Sequence, residues 1–296
     1  MIRVFRVPHF GKKAMKILIV GSLGMLGSDL MSGCNSADEV RGVDLHEMDI
    51  TQLSQCHRVI GEFQPDVVIN SAGLTRVDYC EDNQQEAFAV NGEGPGNLAK
   101  AAAASGALLV HYSTDYVFDG FKQEAYLEQD TPNPQNAYGR SKLLGEELIR
   151  RNCPDHLILR TSWLFGRNGA NFIQTIVNAA KRGDPLRVVN DQRGSPTYTA
   201  DLASHTMRMI NGGCRSTYHL TNSGACTWYE LALRSLEWAK IEGVKITAVS
   251  THEFPRPAAR PHNSVLANAR LERDALPLMR DWQAAAREYV ERFLKS

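Results

Sequence analysis

"KILIVGSLGMLG", Lys16–Gly27, sets an unbroken apolar run against a turn punctuated by glycines. Lys16–Gly21 shows no polar alternation, so it reads as a strand covered on both faces, as in a parallel sheet. Gly21, Gly24 and Gly27 follow at three-residue spacing, and a helix is expected from about Met25. A strand that turns on glycines into a helix lets the backbone approach a pyrophosphate and presents free N–H groups to it. The G-x-x-G-x-x-G spacing at the first strand–helix junction therefore points to a dinucleotide site.

The pattern repeats outward from that junction. "VRGVD" (Val40–Asp44), "DVVIN" (Asp66–Asn70), "ALLVHYS" (Ala107–Ser113) and "LILR" (Leu157–Arg160) read as further strands. Between them, "ITQLSQCHRVIGEF" and "VNGEGPGNLAKAAAASG" read as helices, the second with a Gly-Pro kink near its start. Strands separated by helices of this length predict βαβ units and an α/β, Rossmann-type doubly wound parallel sheet. After about Ala170 the pattern loosens. A helix near Asn171–Lys181, the strand "LRVV", a turn-rich "NDQRGSPTYTADLA" and helices near Thr227–Lys240 and Asp281–Phe293 remain. We divide the chain into an extension over 1–14 (or a mis-assigned start ahead of Met15), a nucleotide-binding domain over 15–170, and a mainly substrate-binding region over 171–296. Segments of the last are expected to return to the main sheet.

Composition excludes several classes. Lys plus Arg and Asp plus Glu both number 33, so no net charge calls for a nucleic-acid or membrane partner. No apolar run reaches the ~20 residues of a membrane span, and the basic N-terminus lacks a signal-peptide core. Six scattered cysteines make no C-x-x-C pair and no zinc spacing, which suits reduced thiols in a cytoplasmic protein. No metal site is expected.

Three further features carry chemistry. Asp44 ends the second strand, 23 residues after Gly21, where a carboxylate reaches the adenine ribose. An acid there favours NAD over NADP, although Arg41 and His46 stand close by, and Asp44 is also readable as a surface carboxylate. "VHYSTDYVFDG" (Val110–Gly120) brings the hydroxyls Ser113 and Thr114 to a strand's carboxyl end, where open α/β sheets bind ligands. "NAYGRSKLLGEE" (Asn136–Glu147) sets Tyr138 and Lys142 four apart on one helix face. A phenol with an ordinary pKa of ~10 needs an adjacent cation before it exchanges protons readily at neutral pH.

Together these features resemble the extended short-chain dehydrogenase/reductase superfamily. "HYSTDYVFDG", "RTSWLFG" (Arg160–Gly166), "NDQRGSPTYTADLA" (Asn190–Ala203) and "ARPHNSVL" (Ala259–Leu266) narrow the likeness to the dTDP-4-dehydrorhamnose reductase family. The resemblance implies hydride transfer from NADPH, with NADH also accepted, to the 4-keto group of a dTDP-4-keto-6-deoxy-hexose. It casts Tyr138 as proton donor, Lys142 as the cation that lowers its pKa and holds the nicotinamide ribose, and Thr114 as the hydroxyl that binds the reacting oxygen. Gly21, Gly24, Met25, Leu26, Gly27, Asp44, Asn70, Ala72, Gly73 and Asn91 would hold the cofactor. Thr114, Asp115, Tyr116, Val117 and Trp163 would border the sugar. Arg260 and Asn263 would approach the diphosphate, where a guanidinium suits phosphate oxygens.

Trp163 is also readable as a core aromatic and Arg260 as a solvated charge. Asp29 is the one acid that aligns with the magnesium site described in this family, and it does not make a metal site alone. A homodimer is left open. A dehydratase would need a Glu after Asp115, where Tyr116 stands. A related epimerase, and a non-catalytic subunit resembling the regulatory subunit of methionine adenosyltransferase, are the alternatives.

Overall fold

A computed structural model describes residues 14–295. The extension expected over 1–14 falls, but for Ala14, outside them.

The glycine junction builds one corner of a six-stranded parallel sheet. Its strands are β1 (Lys16–Val20), β2 (Glu39–Val43), β3 (Val67–Asn70), β4 (Leu108–Thr114), β5 (His156–Thr161) and one more from the second half of the chain. Helices α1 (Met25–Gly33), α2 (Leu53–Phe63), α3 (Gly94–Ser105) and α4 (Ala137–Asn152) connect them. Beyond lie α5 (Phe172–Lys181), β6 (Leu186–Val189), α6 (Thr199–Asn211), β7 (Ser216–His219), α7 (Trp228–Trp238), β8 (Ile246–Val249) and α8 (Trp282–Phe293). The sheet order is β7-β5-β4-β3-β1-β2, so the winding reverses between β1 and β3.

Alternate residues of each strand feed two cores. Ile17, Ile19, Ile69, Val110 and Leu159 face α1 and α6, with Leu30, Leu202 and Ala203. Leu18, Val20, Val68, Leu109 and Ile158 face α2, α3 and α4, with Val59, Leu98 and Ile149. Both faces are covered, which is why the strands read as unbroken apolar runs. A third core unites Phe165, Ile173, Tyr198, Leu231 and Tyr289 from the second half, and β6 pairs in parallel with β8 beside it.

Three elements differ from the sequence expectation. The expected Gly-Pro kink is a π-helical turn, Ala89–Glu93, running straight into α3. Pro95 has no N–H to give the Asn91 carbonyl, and such turns ease the ladder where it breaks. Within the turn-rich "NDQRGSPTYTADLA", Thr199 opens the 13-residue helix α6. Thr and Asp are poor helix formers, but the apolar face of α6 (Leu202, Ala203, Met207, Ile210) is buried in the core it shares with α1. Finally, the short and polar β7 becomes a strand by pairing along β5.

Candidate active site

The reversal between β1 and β3 is where an open α/β sheet binds ligands. Gly21 sits there at φ 78°, and a Cβ on it would lie 2.7 Å from the Ala72 backbone nitrogen. A Cβ on Gly27 would lie 2.0 Å from the Gly21 carbonyl oxygen. Both positions therefore need glycine, and they press the loop against the start of α1. Gly24 caps α1, with space enough for a Cβ except at the Gly21 oxygen, 3.2 Å away.

A cavity of about 470 Å³ opens beside this loop. Gly24, Met25, Leu26, Ala72, Gly73, Asn91, Thr114, Asp115, Tyr116, Tyr138, Lys142 and Trp163 all line it. A smaller cavity of about 210 Å³ adjoins it through Ala72 and Gly73 and holds Gly21 and Asp44. Asp44 accepts hydrogen bonds from the backbone N–H groups of Leu23 (3.1 Å) and Leu45 (3.0 Å). The glycine cradle, the carboxylate and the buried amide of Asn91 fit a dinucleotide laid across the reversal. Asn91 is held by Leu74, donating to its carbonyl oxygen and accepting from its N–H.

Not every expected residue reaches a cavity. Gly27 supports the loop from behind. Asn70 is buried behind Ala72 and bonds His111. Val117 packs inward with Phe118, Tyr126 and Leu266. Asn263 donates its amide to the carbonyls of Lys122 and Glu124, each at 2.9 Å, and so ties two loops together.

The acid–base group gathers where β4 meets α4. Asn136 caps α4, and a Cβ on Gly139 would lie 2.1 Å from the Tyr116 carbonyl oxygen. That close approach seats Tyr138 edge-on to Tyr116, ring centroids 5.6 Å apart. Thr114 donates to Asp115 Oδ1 at 2.9 Å and accepts from the Tyr116 backbone N–H at 3.2 Å. Burial pushes the Asp115 carboxyl up to about 6, opposed by the neighbouring Ser264 and Thr114 hydroxyls.

Burial raises the Tyr138 phenol above its ordinary value, and the neighbouring Thr114 hydroxyl opposes it. The Lys142 amine takes its partners from β4. It donates to the Tyr112 carbonyl at 2.5 Å and lies 3.2 Å from His111 Nε2. Burial draws its own pKa down to about 8, against the pull of Glu146. Glu146 is buried too, but Arg160, bonded at 2.9 and 2.8 Å, holds its carboxyl down at about 2.

A second cavity, about 630 Å³, lies beyond Tyr116 and is lined by Arg187, Gln192, Trp228, Arg256 and Arg260. Arg260 pairs with Asp78 at 2.9 Å, so it is neither loose nor fully solvated. Trp163 takes a left-handed φ of 47° and stacks on Trp228, ring centroids 3.4 Å apart. Trp228 thus borders both cavities. Sequence reasoning missed it, together with His111, Glu146 and Asp78. Three of the four had a signal: a polar residue inside an apolar strand, a carboxylate one turn after Lys142, and an aromatic inside the Thr227–Glu230 capping box, directly after its Thr.

Among the described residues no helix is long and apolar enough to cross a membrane, and no three His, Cys, Asp or Glu converge to hold a metal ion. All six cysteines are free thiols.

Residues 15–295 match the family model described as RmlD substrate binding domain. A spore coat polysaccharide biosynthesis protein of Bacillus subtilis is 40% identical over 277 residues, covering 93% of this chain and 97% of its own. A dTDP-4-dehydrorhamnose reductase from Clostridium acetobutylicum superposes with a TM-score of 0.91 at 42% identity, over 94% of this chain and 99% of its own. The same enzyme from Bacillus anthracis, solved in complex with NADP, superposes equally well at 36% identity and the same coverage. With a glycine cradle, a Tyr138–Lys142 helix and full-length similarity all in one chain, this protein belongs to the dTDP-4-dehydrorhamnose reductase family.

Proposed function

We propose that this protein reduces the 4-keto group of dTDP-4-dehydrorhamnose to give dTDP-L-rhamnose, using NADPH and accepting NADH. The observation that carries the reading is the meeting of two cavities at Tyr116 and Trp228. One holds the glycine loop, Thr114, Tyr138 and Lys142. The other is lined by three arginines. The names of the Clostridium and Bacillus anthracis relatives support the substrate, and the NADP in the latter supports the cofactor. Residues 15–170 are assigned to the cofactor and 171–296 mainly to the sugar nucleotide. Six free thiols suit a reducing, cytoplasmic setting.

NADPH, when bound, supplies the hydride. The glycine loop would hold its pyrophosphate, Asp44 its adenine ribose, and Asn91 with Lys142 its nicotinamide end. Tyr138 gives its phenolic proton to the sugar O4, where charge builds as the hydride reaches C4. Burial keeps that phenol protonated at neutral pH, the state a donor needs. Thr114 would bond the reacting oxygen once its hydroxyl, which donates to Asp115 in this structure, turns toward it. Arg187, Arg256 and Arg260 suit the diphosphate charge.

Two measurements test this. NADPH oxidation, followed by absorbance, should occur with the dTDP-4-keto-6-deoxy sugar. Tyr138→Phe should lose roughly 10²–10⁴-fold in kcat, the usual worth of a positioned general acid, while calorimetry shows NADPH affinity unchanged. A variant that kept more than about a third of wild-type turnover would exclude Tyr138 as donor.

A further inference from the structure

Behind the Tyr138–Lys142 pair, β4 buries a histidine that the reaction above does not use. His111 is 0% exposed. Its Nδ1 lies 3.0 Å from Asn70 Nδ2, and its Nε2 lies 3.2 Å from Lys142 Nζ. Each ring nitrogen therefore faces a nitrogen of another side chain, and the proton inventory decides what each can be.

The Asn70 amide is oriented by its other neighbour. The Ala72 backbone N–H donates to Asn70 Oδ1 at 3.1 Å. A backbone N–H cannot accept, so the oxygen of the amide must face Ala72 and its NH₂ must face His111. His111 Nδ1 is then an acceptor. Burial, with the ring 0% exposed, keeps the imidazole neutral. Its single proton therefore sits on Nε2 and points at Lys142. An ammonium has three N–H bonds and no lone pair, so it would meet this proton as donor against donor. A neutral amine accepts from Nε2–H and still donates to the Tyr112 carbonyl.

We infer that His111 is a positioning residue that sets the charge of Lys142, stabilising the neutral amine through Nε2–H. Glu146 opposes it from the next turn of α4 and favours the ammonium. The other ionisable groups around the pair are Arg160 on β5, engaged by Glu146, Tyr138 on α4, and Asp115 after β4. Asn70 from β3, and Asn91 from the π turn, carry no charge. His111 and Glu146 thus pull the charge of Lys142 in opposite directions. Under the proposed reductase reading, the alkaline limb of the pH profile is where Lys142 loses its charge, and His111 brings that limb toward neutral pH.

Two experiments test the inference. Long-range ¹H–¹⁵N spectra of the wild-type protein, with and without NADPH, report the His111 tautomer directly, the peaks assigned by their loss in His111→Gln. The Nε2–H tautomer is expected from about pH 6 to about pH 9; an Nδ1–H tautomer or an imidazolium would overturn the inference. In His111→Gln the side-chain carbonyl can accept from the ammonium. The alkaline limb of kcat/KM should then move up by about one pH unit or more, tenfold in proton activity. A uniform loss of rate with an unmoved limb would mean that His111 only fills space, and would sink the proposal. Should His111→Gln fail to fold, Nζ titration of ¹⁵N-lysine-labelled wild type by NMR gives the Lys142 pKa, with a value near that of free lysine counting against it. If the wild type did not oxidise NADPH with the sugar, the functional reading would fail while the tautomer result stood on its own.

Discussion

Glu146→Gln offers the sharpest test of how the site is built. Glu146 is 0% exposed and lies between Arg160 and Arg150, with its carboxylate on the Arg160 guanidinium. Glutamine keeps the shape and one acceptor but removes the charge. Arg160, itself buried and set over the Phe118 ring, would be left uncompensated. A carboxyl held at about 2 against an ordinary 4.5 favours the folded state by about 3 kcal/mol at neutral pH. Breaking a buried pair from one side costs ~3–5 kcal/mol, which agrees. A chain this long loses about 2 °C of Tm per kcal/mol, so a fall of about 6 °C is expected. The folded value lies below the unfolded one, so the contribution is complete above about pH 4.5 and disappears as pH falls toward 2. Urea unfolding followed by circular dichroism, at neutral pH and again near pH 3, measures both quantities. A cost under about 1 kcal/mol at neutral pH, or a gap that does not narrow on acidification, would refute the reasoning. In the same variant Lys142 loses the carboxylate that favours its charge, so the alkaline limb should move down, opposite to His111→Gln.

Two other substitutions probe the cavities. Asp44→Ala should shift the ratio of kcat/KM toward NADPH by about tenfold, since a carboxylate facing a 2′-phosphate is unfavourable; wild type should use the two cofactors within about a hundredfold. A ratio that stays put would place Asp44 away from the ribose. Gly194→Ala would set a Cβ 2.3 Å from the Trp163 ring, which has Trp228 stacked against it. Overpacking of this kind costs ~1–3 kcal/mol, and the sugar KM should rise while NADPH affinity holds; an unchanged KM would remove Trp163 from the sugar site.

Much of this was legible in the sequence because the first half writes its structure locally. Lys16–Gly27 carries strand, turn and helix start in twelve residues, and Tyr138 and Lys142 lie within one helical turn. What stayed hidden depends on contacts between distant segments. The helix α6 opens on Thr and Asp after a turn-forming stretch, and its burial beside α1 makes it stable. Asn263 sits in a motif yet serves to join loops, because its partners Lys122 and Glu124 are far away in sequence. The shared helix face of Tyr138 and Lys142 was legible, but the partners of the amine, the Tyr112 carbonyl and His111, come from β4, about thirty residues earlier.

The placement of β7 at the end of the sheet has a consequence for biosynthesis. Strand β5 ends at Thr161, and among the described residues its outer edge is paired by Ser216–His219 and the Leu220 N–H that follows them. Ribosomes add ~5–20 residues per second, so the roughly 55 residues between the two strands take about 3–11 s to appear. For that interval the nascent chain carries an open row of amide and carbonyl groups on β5, a template for pairing with another chain. The first half therefore waits for the second before its sheet is closed, and a truncation before Ser216 would leave that edge exposed for good.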